Sequence, residues 1–245
     1  MEKEEARQEA MYGPPRLWLK PGTSADVVVL DDNPVCIYEH NPKIGGSYKN
    51  WITCLQGVHD DVVCCQKLGP DMRYYAGYMT IVDCSKWTDG KGKTHQYDLK
   101  LCSGKMKTLK RWRRKREELG HLAGAMFRAT REDDRSPNVG DEWAFQKDAD
   151  LAKLFGVAQY KGQRLVDMWD EAERDAKKMA KVTRLFAVKP DADGRLPRHT
   201  VPLFNYYEVL KPKDPADLRV LLAGAQKDDG GYKGKTGGSE EDVPF

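Results

Sequence analysis

The chain has 245 residues and a formal net charge of +3, from 41 Lys and Arg against 38 Asp and Glu. This length allows one large domain or two small ones, and a hydrophobic core of that size is stable without disulfides or structural metals. No run approaches the roughly 18 apolar residues of a membrane span, and the acidic first ten residues lack the apolar centre of a secretory signal. We therefore expect no membrane segment and no export, so the six cysteines should be thiols or ligands rather than disulfides.

Charge is distributed unevenly along the chain. Residues 1–10 carry −2 and residues 236–245 carry −3, so the body between them carries +8. A basic body suggests an anionic partner, and an acidic end can imitate that partner.

The first half of the chain is predicted to consist of strands. Residues 1–15 form a loose arm, and Pro21-Gly22 then marks a turn. Runs of β-branched and aromatic residues predict strands at 25–30, 35–40, 48–56, 72–84 and 94–102. Residues 57–71 are predicted to be irregular. Five strands with tight turns favour a small antiparallel barrel.

The second half adds helices to this core. Helices are predicted at 105–118, 151–155 and 165–184, and further strands at 125–130, 141–145 and 201–210. Asp214-Pro215 starts a last helix, which ends at Gly224. The predicted fold class is α+β, with a barrel core elaborated by helices and extra strands.

Aromatic residues of the predicted barrel stand close in sequence to a dense run of cations. Single-stranded nucleic acids need both, because cations follow the phosphates and rings stack the exposed bases without reading sequence. The candidate rings are Tyr48, Trp51, Tyr74, Tyr75, Tyr78, Trp87, Tyr97 and Trp112. The candidate cations are Lys105, Lys107, Lys110, Arg111, Arg114 and Lys115. The alternatives are core packing for each ring and a solvated helix face for the cations.

The sequence ends in an acidic and apolar segment, SEEDVPF at residues 239–245. Residues 226–238 before it are rich in Gly and Lys and are expected to form a flexible linker. We predict that partner proteins bind Glu240, Glu241, Asp242, Val243, Pro244 and Phe245. The alternative is a frayed and solvated end.

This tail resembles the acidic tip, ending in Ile-Pro-Phe, of bacterial single-stranded DNA-binding proteins. Together with the predicted strands, it is similar to the single-stranded DNA-binding proteins of tailed bacteriophages. Residues 18–26, 39–41 and 50–54 resemble the start of their OB-domain, and residues 206–218 resemble their C-terminal docking region. The long ordered-looking sequence after the barrel departs from the bacterial pattern, so we expect a monomer rather than the bacterial tetramer.

The resemblance implies an OB-fold, which binds single strands over one face and its loops. It also implies a role in DNA replication, recombination and repair in the cytoplasm of an infected bacterium. Replication or repair proteins of the host or the phage would bind the tail.

Cys54, His59, Cys64 and Cys65 are the candidate metal ligands, because Zn²⁺ takes four N or S ligands. Adjacent side chains such as Cys64 and Cys65 point in opposite directions on an extended chain, which favours ordinary buried thiols instead. We therefore predict neither a metal nor another cofactor. Two rivals stay open: a metal-dependent nuclease or DNA-processing enzyme using His59, Asp60 and Asp61, and a zinc-stabilised RNA-binding regulatory module.

The favoured prediction is a non-enzymatic protein that coats and protects single-stranded DNA without sequence preference. Its arm would comprise residues 1–15, and its binding domain, with a helical extension, residues 16–225. Residues 226–245 would form the linker and the tail that recruits partners.

Overall fold

The computed structural model describes residues 13–44, 51–88, 92, 94–223 and 225. The chain divides into two compact units. Met1–Pro34 and Tyr78–Val209 form the first, here called the sheet unit, and Val35–Gly77 and Leu210–Phe245 form the second, here called the insert unit. The segment 16–225, predicted as one domain, therefore contains parts of two units.

The described residues form eleven strands, seven helices and one short 3-10 turn. The strands are β1 (Thr23–Val29), β2 (Val35–His40), β3 (Ile52–Thr53), β4 (Tyr74–Asp83), β5 (Trp87–Thr88), β6 (Thr94–His95), β7 (Asp98–Lys105), β8 (Ala125–Arg131), β9 (Glu142–Asp148), β10 (Gln159–Tyr160) and β11 (Gln163–Arg164). The helices are α1 (Val63–Leu68), α2 (Met106–Leu119), α3 (Leu151–Val157), α4 (Leu165–Ala172), α5 (Ala176–Leu185), α6 (Tyr206–Val209) and α7 (Pro215–Leu222), and Pro70–Met72 forms the 3-10 turn. The predicted α+β class is confirmed.

The sheet unit is organised around β1. The strands run in the order β11-β10-β7-β4-β1-β8-β9. β1 pairs antiparallel with β4 through Val28↔Val82 and antiparallel with β8 through Val27↔Phe127. The strand that follows α2, β8, thus returns to lie beside β1. The order β8-β1-β4-β7 is that of a Greek key, in which the last of four strands lies beside the first.

These strands do not close into a barrel, so the predicted OB barrel is not confirmed. The edge of β7 that faces away from β4 is already paired with other segments. β10 pairs with it in parallel at Gln159↔Asp98. In addition, the Leu17 amide donates to the Leu101 carbonyl and the Leu101 amide donates to the Pro15 carbonyl, both at 2.8 Å. These pairings occupy the edge of β7 with which β9 would have to pair to close a barrel. β9 is therefore an edge strand of the described sheet.

Helix α2 packs one apolar side on the sheet unit. Leu109 and Trp112 are at most 1% exposed. Gly104 on β7 makes room for Thr108 and Trp112 of this helix, because a Cβ there would lie 2.6 Å from Thr108 Cγ2 and 2.9 Å from Trp112 Cη2. The Trp112 ring also meets the Trp143 ring edge-on at 5.6 Å. This packing fixes which side of α2 presents its cations to solvent.

Two predicted elements of the second half differ in the structure. The helix predicted at 165–184 breaks, because Asp175 caps a new helix, accepting from the Lys177 amide at 2.8 Å. The strand predicted at 201–210 is instead a buried loop followed by α6, and only Phe204 makes a β-bridge, with Phe186. Burial of Val201 and Phe204 accounts for the apolar pattern that suggested a strand.

The insert unit combines β2, β3, α1 and the start of β4 with α7. β2 pairs antiparallel with β3 through His40↔Ile52, and it also pairs with β4. Leu218 and Leu222 of α7 share one core with Leu55 and Val63. The Thr53 hydroxyl also donates to the Leu210 carbonyl at 2.7 Å. The segment 57–71, predicted to be irregular, contains α1.

No helix among the described residues is both long and apolar enough to cross a membrane.

Candidate functional site: a buried metal centre

Four buried side chains of the insert unit converge on one point. His40, Cys54, Cys64 and Cys65 each offer one ligand atom, and these atoms all lie within 4.8 Å of one another. Each of the four residues is at most 7% exposed. Within the described part of the chain, this is the group of three or more His, Cys, Asp or Glu side chains that has metal-binding geometry.

Local structure brings these four residues together. His40 ends β2, and Cys54 directly follows β3, the strand paired with β2. The Cys54 amide donates to the Tyr38 carbonyl at 2.8 Å, which extends the pairing by one residue. Cys64 and Cys65 lie in the first turn of α1. A strand pair and a helix therefore supply the four ligands.

The three distances from Cys65 to the other ligand atoms are close to those of a tetrahedral zinc site, and the remaining ones are at most 4.8 Å. Zn–S bonds of about 2.3 Å and Zn–N bonds of about 2.0–2.1 Å place two sulfurs about 3.8 Å apart and a sulfur about 3.6 Å from a nitrogen. Cys65 Sγ lies 3.4 Å from Cys54 Sγ, 4.0 Å from Cys64 Sγ and 3.6 Å from His40 Nε2. Three thiolates and an imidazole are a donor set that favours Zn²⁺.

The protonation of the cluster is suited to a cation. Burial, with the nearby Arg73 guanidinium, lowers the pKa of His40 to about 4, so the imidazole is neutral at pH 7 and can donate a lone pair. Burial raises the pKa of Cys65 to about 12, and the pKa of Cys64 is raised by the same cause. A bound dication reverses this effect, because it deprotonates a coordinating thiol.

Backbone contacts support the ligands. The Leu55 amide donates to Cys64 Sγ at 3.4 Å, a contact that stabilises a thiolate. Four protein ligands complete a tetrahedron and leave no position for water, which is the pattern of a structural rather than a catalytic zinc site. A metal ion bound by these four residues would therefore hold the insert unit together.

Of the four candidate metal ligands named from the sequence, the structure brings Cys54, Cys64 and Cys65 together but not His59, and the geometric objection to the adjacent cysteines does not apply. His59 is exposed and its Nδ1 accepts from the Asp61 amide at 2.9 Å, whereas His40 occupies the fourth position. The adjacent cysteines converge because α1 is helical, not extended. A search extended to the strand before the loop would have included His40.

An aromatic and cationic cluster lies on the same strand as His40. Tyr38, two residues before His40, packs its ring against the Tyr75 ring at 5.2 Å. The Arg73 guanidinium lies over the Tyr38 ring, 4.4 Å from its centroid. All three side chains are half-buried. Of these residues only Tyr75 was predicted; Tyr38 was missed because it was assigned to a strand without a site role.

The other predicted rings fall into three groups. Trp51 and Tyr74 are half-buried in the insert unit, and Tyr48 lies outside the described residues. In the sheet unit, Tyr97 is half-buried and Trp87 is 40% exposed, stacked on His95 at 4.4 Å.

Tyr78 and Trp112 require a correction. Their exposure is 0% and 1%, so neither ring offers a face to a base, and both belong to the core.

The predicted cations lie on or beside α2, and they are not equivalent. Lys105, Lys107, Lys110 and Arg114 are exposed, whereas Arg111 and Lys115 are half-buried. Arg114 Nε lies 3.0 Å from Glu118 Oε1, and Lys115 Nζ lies 2.8 Å from Glu118 Oε2. Lys107 and Lys110 make no such ion pair with a described residue.

The rival nuclease residues do not assemble a metal site. His59 and Asp60 are exposed, and Asp61 forms an ion pair with Arg219. None of the three belongs to the group with metal-binding geometry among the described residues. The predicted tail, residues 240–245, lies outside the described residues.

Comparisons with known proteins do not assign the chain to a family, since no model of a protein family, no curated protein and no solved structure matches it.

Proposed function

We propose that this protein is a single-stranded nucleic-acid-binding protein, with DNA as its main ligand and with an insert unit stabilised by zinc. The observation that carries the proposal is the sharing of β2 by His40 and Tyr38. His40 is a ligand of the candidate metal centre, and Tyr38 is the middle of the Tyr75–Tyr38–Arg73 cluster.

Residues two apart on a strand project to the same face, so Tyr38 and His40 share one. A metal that fixes His40 therefore also fixes the position of Tyr38. Rings and guanidinium groups held in place in this way are suited to stack unpaired bases, at about 1–3 kcal/mol per base. A side chain that is already held in place loses less conformational entropy on binding than a mobile one.

The topology of the sheet unit supports the same proposal. An OB-fold is a five-stranded, partly open Greek-key barrel that binds oligonucleotides. The order β8-β1-β4-β7, with α2 between β7 and β8 and with β9 beside β8, is compatible with an opened version of that fold. The exposed cations of α2 supply an electrostatic attraction for phosphates. We propose non-enzymatic coating of single-stranded DNA, with the cytoplasm of an infected bacterium as its setting.

Binding and metal content test the proposal together. Fluorescence anisotropy at low salt should show tighter binding to an unstructured single strand than to a duplex of the same length. Four or five phosphate contacts should give a slope of roughly −3 in log K against log salt. A slope near zero, or tighter binding to duplex, contradicts the proposal. A single-stranded RNA of matching sequence distinguishes the DNA from the RNA alternative.

Metal analysis of the purified protein should find about one zinc per chain. Tyr38→Ala should weaken binding to the single strand without releasing zinc. Loss of zinc in that variant, or unchanged binding, contradicts the proposed link between the cluster and the ligand.

A further inference from the structure

The β5–β6 strand pair of the sheet unit carries an exposed tryptophan. β5 and β6 form a small two-stranded sheet of their own, and Trp87 on β5 lies directly opposite His95 on β6. Trp87 is 40% exposed. Single exposed rings are common on protein surfaces, so the informative observation is how this ring is held.

Three neighbouring side chains hold the Trp87 ring in one position. The His95 ring stacks on it, with centroids 4.4 Å apart and planes 14° from parallel. The Trp87 indole N–H donates to Asp98 Oδ2 at 3.1 Å. The Lys100 ammonium lies 5.3 Å from the ring centroid and forms an ion pair with Asp83 at 2.7 Å. These four side chains around the ring are each at most 13% exposed, so the exposed part of the ring is turned away from them.

The hydrogen bond to Asp98 is energetically costly for the fold. Asp98 is 4% exposed, and burial raises the pKa of its carboxyl, against the opposing effect of the Lys100 ammonium. Its second oxygen, Oδ1, is buried and has no hydrogen-bond partner among the described residues. A buried acceptor without a partner destabilises the folded state, and a packed apolar residue at position 98 would avoid that cost. Such local costs are typical of functional sites.

Trp18 provides a comparison within the same unit. Trp18 and Trp87 are the two exposed tryptophans in the described part of the chain, at 50% and 40%. The Trp18 ring makes no hydrogen bond and no ring contact with another described residue. An exposed tryptophan therefore does not by itself require a fixed ring, and the support of Trp87 is specific to its position.

We infer that Trp87 stacks on an unpaired base of the single strand, with Asp98 and His95 as the positioning residues that hold its ring. The inference rests on the proposed function and adds a base contact in the sheet unit to the phosphate contacts proposed for α2. Stacking suits a ligand of any sequence, because every base has a π-face. Residues 86–93 contain three Lys and one Asp, so cations for the adjacent phosphates lie close to the ring in the sequence.

The test measures binding of an oligothymidylate by fluorescence anisotropy at several salt concentrations. Trp87→Ala should weaken binding by about 5- to 150-fold, the range for the loss of one stacked base. Stacking neutralises no phosphate, so the weakening should be equal at every salt concentration and the salt slope should stay that of the wild type. Trp87→Phe keeps a ring and should lose less affinity. The matched control Trp18→Ala should bind as the wild type does.

A double-mutant cycle tests Asp98 as a positioning residue. Asp98→Leu should weaken binding in the wild type but cause no further loss in the Trp87→Ala background, because Asp98 acts through the ring. Asp98→Asn keeps an acceptor for the indole N–H and should bind as the wild type does. Circular dichroism should show the same secondary structure in every variant, and Trp87→Ala decides the inference even where Asp98→Leu does not fold.

The inference is overturned if the wild type binds with a steep salt slope and Trp87→Ala binds equally well. It is also overturned if Trp18→Ala loses as much affinity as Trp87→Ala. Additive losses in the cycle contradict the role of Asp98. If the wild type itself fails to bind the oligonucleotide, the proposed function fails, and the inference with it.

Discussion

At the scale of single residues, Asp31 is a buried carboxyl in the sheet unit that no sequence pattern marks. Its Oδ2 accepts from the Thr80 amide at 2.5 Å and from the Tyr206 hydroxyl at 2.7 Å. The Phe204 amide donates to the Thr80 hydroxyl at 3.1 Å. Asp31 thus ties the segment around α6 to β4. Burial raises its pKa to about 6, and the charge of Asp32 adds to this effect.

Stability of the sheet unit should depend on the protonation of Asp31. A raised pKa means that the folded state prefers the neutral acid, so this contribution is fully present below about pH 4 and is lost as the pH rises through about 6. The free energy of unfolding of wild type minus that of Asp31→Asn should therefore fall by about 2–3 kcal/mol between pH 4 and pH 7. Urea titrations across that range measure it, and parallel pH profiles of the two proteins would contradict it.

The sequence shows which aromatic and basic residues are candidates for a binding site, but not whether each side chain is buried or exposed. The aromatic and basic composition named Tyr75, which is half-buried, and Lys110, which is exposed, but equally named Tyr78 and Trp112, which are core residues. Strand alternation cannot distinguish these cases when both faces of a strand are covered, as in β4, where residues 76–83 are all buried. His40 was not named as a candidate ligand because only residues 54–65 were considered, although the strand that His40 ends, β2, was itself predicted.

At the scale of elements, the intrahelical ion pairs of α2 predict unequal roles for its cations. In the proposed binding mode Lys107 and Lys110 would meet phosphates directly, whereas Arg114 and Lys115 would first have to leave Glu118. K107Q/K110Q should therefore reduce the magnitude of the salt slope by about 1.4, at about 0.7 per contact. R114Q/K115Q should reduce it by less. Equal reductions in the two variants, or none in the first, would show that the ion pairs do not govern binding.

Helix α7 allows a matched test of the core around the metal centre. Leu218 is fully buried in the core that contains Cys54, Cys64 and Cys65, whereas Val220 on the same helix is 79% exposed. Leu218→Ala should cost about 2–4 kcal/mol of unfolding free energy, and Val220→Ala about 0.5 kcal/mol or less. Leu218→Ala should also release zinc to a competing chelator at a lower chelator concentration. Equal zinc retention in both variants would show that the packing of α7 does not support zinc binding.

The elements β1, β2, α2 and α7 were predicted close to their observed bounds, the strands and α2 from their residue patterns and α7 from the Asp214-Pro215 start and the Gly224 end. Elements without such local signals depend on distant contacts. Helix α1 has six residues and no side-chain cap, and its burial against α7 comes from residues about 150 positions later in the chain. No local signal reports such a partner, and for the same reason the sequence did not predict that Cys64 and Cys65 lie in a helical turn, where their side chains converge.

At the scale of the whole molecule, charge separates the acidic tail from the basic body. Deleting residues 239–245 should strengthen binding to single-stranded DNA, most at low salt, because the tail competes as an anion and screening is then weakest. Phe245→Ala removes an apolar group but leaves every charge. It should leave DNA affinity near wild type while abolishing binding to proteins that recognise such tips. Binding of that variant to a tip-recognising exonuclease at wild-type strength would contradict a role for the ring.

The construction of the insert unit from two distant segments affects how the chain is made. Cys65 leaves the ribosome about 150 residues before Pro215, the first residue of α7. At about 5–20 residues per second, the delay is about 8–30 s. During that time Ile52, Leu55 and Val63 lack the leucines that cover them in the finished protein. An ion captured early by His40 and the three cysteines would hold β2, β3 and α1 together while synthesis continues.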